Sequence, residues 1–102
     1  MGVETLDARK LMMAEFSDCF LVLPGGMGTL DEVMTELLRV DLGQHDKTVY
    51  LLNVDGFWNT LLAVFEHFGT SGVLRPGALD GLRVVDSIDA FLEAVGALAV
   101  DE

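Results

Sequence analysis

The chain has 102 residues, 51% of them hydrophobic, which is enough apolar material for one small domain and not for two. Its 17 acidic and 6 basic residues leave a net charge of −11, which argues against broad electrostatic binding to nucleic acid or to an anionic membrane. A single cysteine excludes an internal disulfide and fits a reducing cytosol.

No charged-then-apolar signal segment opens the chain, and no apolar run is long enough to cross a bilayer. A cytoplasmic location is therefore expected. His45 and His67 stand apart from any cysteine–histidine or histidine–carboxylate spacing, so no metal site and no cofactor is expected.

Residues 3–16 contain no Gly or Pro and read as a helix. Arg9 and Lys10 share a face with Leu6 and Met13 at helical spacing. Cations on a partly apolar face have two readings. They are either snorkelling side chains at the rim of the core or the wall of a cleft that holds an anion. Cys19-Phe20-Leu21-Val22-Leu23 follows, an unbroken apolar run that suits a parallel strand covered on both faces. Cys19 at its start reads as a small buried hydrophobe.

The next stretch, Pro24-Gly25-Gly26-Met27-Gly28-Thr29-Leu30-Asp31-Glu32, reads as a glycine turn and the start of a helix. Gly25, Gly26 and Gly28 let the backbone turn tightly and approach a ligand. N–H groups at a helix start favour an anion there. The structural reading of the same residues is a capping box, with Thr29 as N-cap and Glu32 reaching back. The stretch lacks the ending of a P-loop, and Asp31 occupies the third-glycine position of a dinucleotide fingerprint. Leu30, Val33, Met34, Leu37 and Leu38 form the apolar stripe of this helix, with Glu32, Glu36 and Arg39 away from it, and Gly43 stops it.

Thr48 to Asn53 reads as a second buried strand and Asn53-Val54-Asp55-Gly56 as its turn. Trp58, Leu61, Leu62 and Phe65 mark a third helix ending near Gly69, with its aromatics in the core. A Gly-rich loop runs to Gly81, then Leu82 to Val85 is a third strand. Ser87 caps a last helix whose stripe is Ile88, Phe91, Leu92, Val95 and Leu98. Alternation of this kind implies right-handed crossovers and a parallel sheet with helices on both faces. The expected fold is α/β: a partial, Rossmann-like three-layer domain over residues 1–102, with about three strands and four helices in such a pattern.

Taken together, Pro24 to Glu32, Arg9-Lys10-Leu11-Met12-Met13, Ser17-Asp18, Leu42 to Lys47 and Leu51 to Phe57 resemble the Lonely Guy family. These are phosphoribohydrolases of cytokinin riboside 5′-monophosphates, often active on AMP. The resemblance implies that Glu32 and Arg9, 23 positions apart, are the catalytic pair. It assigns Gly25, Gly26, Gly28 and Thr29 to the substrate's 5′-phosphate, with Lys10 adding charge beside the nucleotide. It implies a homodimer, for which the helix carrying Trp58 and Phe65 is the candidate contact. Some relatives have been labelled lysine decarboxylases, but no residue pattern here indicates a pyridoxal phosphate site.

Departures are Leu6 in place of a family Met, Thr35 in place of a common Glu, and Arg39 where plant members often have Trp. They bear on base recognition more than on phosphate binding. Family members begin with a further half that carries more strands. The expectation is therefore a fragment of a longer protein, or a strand edge covered by a second chain. Two other functions stay open: a nucleotide-binding carrier without chemistry, and an inactive truncated piece.

Overall fold

A computed structural model describes residues 13–100 of the chain, with side chains described as far as residue 96. Arg9, Lys10 and most of the helix expected before Phe16 lie outside the described residues. In chain order the elements are β1 (Met13–Glu15), β2 (Cys19–Val22), α1 (Met27–Asp41), β3 (Thr48–Leu52), a 3-10 turn (Val54–Gly56), α2 (Asn59–Thr70), β4 (Leu82–Val85) and α3 (Ile88–Val100).

The strands form one sheet in the order β1-β2-β3-β4. β2, β3 and β4 are parallel, and β1 is antiparallel to β2. Expectation and structure differ at β1, where the end of the expected first helix is strand. Ser17-Asp18 is a two-residue hairpin turn, closed by the Phe16 N–H donating to the Cys19 carbonyl at 2.8 Å. The open edge of β2 needs backbone partners, and that need outweighs the helix propensity of three residues. Lys47 holds the hairpin by donating to Glu15 Oε2 and to the Phe16 carbonyl.

Alternation along the strands sorts side chains into two cores. Phe20, Val22, Val49 and Leu51 face α1 and α2 and pack with Val33, Leu37, Trp58 and Phe65. Cys19, Leu21 and Leu52 point the other way, toward Phe91 of α3. Helices therefore cover both faces, giving the expected three layers. All four residues of β2 are buried, as an unbroken apolar run requires.

Helix ends follow local chemistry. α1 stops in a Schellman motif: Gly43 takes φ 79°, its N–H donates to Val40, and the Gln44 N–H donates to Arg39. Ser87 caps α3 by accepting the Ala90 N–H at 3.0 Å. The stripes are narrower than expected. Leu38, Ile88 and Leu92 are exposed, because each lies at the rim of a stripe whose centre alone reaches the sheet.

Leu51 is fully buried between sheet and helices. Leu51→Ala should cost about 2–5 kcal/mol, read as a lower denaturation midpoint at unchanged m-value. Burial also pushes the Cys19 thiol up from its ordinary pKa. Alkylation of Cys19 at neutral pH should thus be slow in the native protein and fast in denaturant.

Candidate functional site

Parallel pairing brings two turns to one edge. Val22 lies beside Leu51, so the chain leaves β2 and β3 at the same end of the sheet. β4 ends there too, and the Asn53 N–H donates to the Val85 carbonyl at 2.7 Å. Ligands of open parallel sheets bind beyond this carboxyl edge.

After β2 the chain turns at Pro24-Gly25-Gly26, and α1 begins at Met27 with Gly26 as N-cap. The first intrahelical bond runs from the Leu30 N–H to the Gly26 carbonyl, 3.0 Å. The N–H groups of Met27 and Gly28 precede it and meet no acceptor among the described residues. Gly26 has φ −105°, and neither it, Gly25 nor Gly28 adopts a positive φ. Left-handed backbone is therefore not what the turn asks of its glycines. A Cβ built on Gly26 would meet nothing within 4 Å. The glycine leaves open space directly over the helix start.

Thr29 is not the N-cap, and no side chain caps α1. Thr29, Val33 and Leu37 recur every four residues and face the sheet, so the helix must begin before Thr29 to turn it inward. Thr29 is fully buried. Glu32 therefore sits in the second turn, beyond reach of a capping role. It is half-buried, and nothing among the described residues pairs with its carboxylate. Asp31 beside it is exposed.

Glu36, expected on the outer surface, is only 6% exposed. Its carboxylate meets His45 Nε2 at 2.9 Å and Arg39 Nη1 at 3.3 Å. His45 Nδ1 accepts the Lys47 N–H at 3.1 Å, so the proton on the neutral ring belongs on Nε2 and is donated to Glu36. No local spacing announces this pair: Glu36 and His45 are nine residues apart, and only the return of the loop onto α1 makes them a contact.

Asn53 is the organising residue of the second turn. Its Oδ1 accepts the Trp58 N–H at 2.6 Å, and its Nδ2 donates to Asn59 Oδ1 at 2.8 Å. These bonds hold a bend in which Asp55 and Gly56 take φ 52° and 73°. Trp58 and Phe65 are buried in the core, which removes them as a contact for a second chain. The indole Nε1 of Trp58 is buried and meets no acceptor among the described residues.

Among the expected site residues, Gly25, Gly26, Gly28, Thr29 and Glu32 thus occupy one turn and the helix that follows it. Arg9 and Lys10 lie outside the described residues. Met13 pairs with Val22, so the chain enters β1 at the carboxyl edge. Arg9 is four positions earlier, a reach of at most about 14 Å.

A family profile described as "Possible lysine decarboxylase" matches residues 1–95. Over 76 residues the chain is 45% identical to cytokinin riboside 5′-monophosphate phosphoribohydrolase LOG5 of Arabidopsis thaliana, covering 74% of this chain and 33% of that protein. It is 46% identical over 77 residues to probable cytokinin riboside 5′-monophosphate phosphoribohydrolase LOGL2 of Oryza sativa subsp. japonica, with 76% and 32% covered. Similarity to LOG3 of Arabidopsis thaliana, another cytokinin riboside 5′-monophosphate phosphoribohydrolase, is 45% over 77 residues, with 76% and 36% covered. The chain thus spans about a third of the length of the curated relatives it matches.

Asn53→Ala removes an acceptor from the Trp58 N–H and a donor from Asn59. It should lower stability by about 1–3 kcal/mol, measured by urea denaturation.

Proposed function

The chain belongs to the Lonely Guy family, the group described as possible lysine decarboxylases, and from that premise we propose that its site hydrolyses the N-glycosidic bond of a purine or cytokinin riboside 5′-monophosphate. The products are the free base and ribose 5-phosphate. Water oxygen joins C1′, the bond from C1′ to the base nitrogen breaks, and the base leaves with a proton.

The 5′-phosphate is held at the start of α1 by backbone N–H groups of Gly25, Gly26, Gly28 and Thr29. The bare backbone at Gly26 and the N–H groups of Met27 and Gly28, which meet no acceptor among the described residues, support this. A local set of amides and a helix dipole can hold a phosphate within a chain of net charge −11, because salt screens the distant carboxylates. Bond breaking develops positive charge on C1′ and O4′. Glu32 stabilises that charge or activates the attacking water, and its half-buried carboxylate, which has no partner among the described residues, supports that role. Arg9 holds the ribose hydroxyls or the departing base with its planar fork of donors, and Lys10 adds charge beside the nucleotide.

The register of β1 on β2 carries this reading. It sets Met13, the first residue of β1, beside Val22 at the edge where α1 begins. Glu32 lies on the flank of α1 that continues to Glu36 and His45, and His45 leads through Lys47 to β1. The first residue of β1, four positions after Arg9 in the chain, and the start of α1, the helix that carries Glu32, thus share one edge of the sheet.

The active form is a cytoplasmic homodimer in this reading. Its contact is the exposed apolar face of α1 and α2, where Leu38 is 58% and Leu42 63% exposed. A cleft of about 270 Å³ beside them is lined by Met34, Leu37, Phe65, Phe68, Leu74 and Leu79. Leu38 of α1 and Leu42 just after its end contribute to that face in place of Trp58 and Phe65.

The test is incubation with AMP and with isopentenyl-adenosine monophosphate, assaying free base. Glu32→Gln should reduce turnover by about 10²-fold or more while the nucleotide still binds. Turnover equal to wild type in that variant would falsify the catalytic assignment. Gly26→Ala should leave the melting temperature within about 3 °C and weaken AMP binding about tenfold. Tight nucleotide binding with no base released would favour a carrier.

A further inference from the structure

Glu36 is the one buried charged side chain among the described residues. A carboxylate is costly to bury unless hydrogen bonds satisfy it, so its place on α1 calls for a physical reason. The other inward residues of this helix, Thr29, Val33 and Leu37, present small or apolar surfaces to the sheet. Apolar packing is not directional, and by itself it leaves the rotation of a helix about its own axis softly defined. A hydrogen bond at the flank of the helix is directional.

The bond from His45 to Glu36 is well anchored on its far side. The ring is held by the Lys47 N–H at Nδ1 and packs on Phe20 of β2, with ring centroids 5.9 Å apart. Lys47 itself is tied to Glu15 and to the Phe16 carbonyl of the β1–β2 hairpin. Glu36 is therefore fastened, through one imidazole, to β2 and to the β1–β2 hairpin that precedes it.

Glu32 is one helical turn earlier, about 40° around the axis and about 6 Å along it. From these contacts we infer that Glu36 is a positioning residue for Glu32: its hydrogen bond to His45 sets the roll of α1 and so the direction of the Glu32 carboxylate. The inference rests on the proposed function, because only a reacting carboxylate needs a set direction. A side-chain head about 6 Å from the helix axis moves about 2 Å for a roll of about 20°. Catalytic groups tolerate roughly 0.5 Å. Glu36 does not touch the nucleotide in this arrangement.

The experiment compares wild type, Glu36→Gln and Glu36→Ala for AMP hydrolysis, with folding followed by circular dichroism. The glutamine amide oxygen can accept the same His45 proton, whereas alanine cannot. For Glu36→Ala, kcat per folded molecule should fall at least about tenfold while KM for AMP stays within about threefold. Glu36→Gln should recover most of kcat. If Glu36→Ala does not fold, Glu36→Leu fills the site without the hydrogen bond and carries the same comparison.

A second readout separates this inference from the reading beneath it. AMP should shift the Gly28 amide resonance in every variant, but the Glu32 carboxylate carbon only in wild type and Glu36→Gln. Unchanged kcat in Glu36→Ala, or an equal Glu32 response in all three proteins, overturns the positioning role alone. No response of either group in wild type overturns the phosphate site and this inference together.

Discussion

Parallel pairing of β2 with β3 is the constraint on which the arrangement depends. β2 is four residues long and buried throughout, so its backbone must find partners on both edges. β3 supplies one edge in parallel register, and that direction forces the intervening chain to cross over as α1. The crossover puts the start of α1 and the Asn53 turn at one edge. Had β3 run antiparallel, the glycine turn and the Asn53 turn would lie at opposite ends of the sheet.

The second edge of β2 is met by a short antiparallel strand. This pairing also sets a direction: β1 begins with Met13 at the carboxyl edge and leaves through Ser17-Asp18 at the other. Lys47 bonds the hairpin to the loop before β3. Its ammonium also lies over the Phe20 ring, 5.0 Å from the centroid. Its closeness holds the Glu15 carboxyl below the usual carboxylate range. Glu15 is exposed, so solvent screens the pair and most of its value is geometric.

Charge is distributed unevenly in its consequences. Most carboxylates of this acidic chain are solvated and screened. Glu36 is buried and bonded, while Glu32, one turn away, has no partner among the described residues. The same helix therefore carries one carboxylate committed to architecture and one left without such a bond among the described residues. Neighbouring groups, and not residue type, separate the two. A similar division runs through the aromatics, with Trp58 and Phe65 in the core and Phe57 and Phe68 at the surface.

Periodicity and turn chemistry determined much by themselves. The apolar runs of β2, β3 and β4, the Gly43 stop and the Ser87 cap were all legible, because each depends on a few adjacent residues and a short-range bond. The Pro24 to Glu32 pattern, together with the stretches around it, was enough to indicate a turn into a helix and a family. Tertiary structure decided what depended on distant partners. Met13–Glu15 became strand because β2 had an open edge. Thr29 turned inward because α1 had to align with the sheet. Glu36 was buried because a loop nine residues away brought an imidazole back to it. A local pattern records which face of an element is apolar. It cannot record which neighbour will supply the missing hydrogen bond, since that neighbour exists only once the chain has folded.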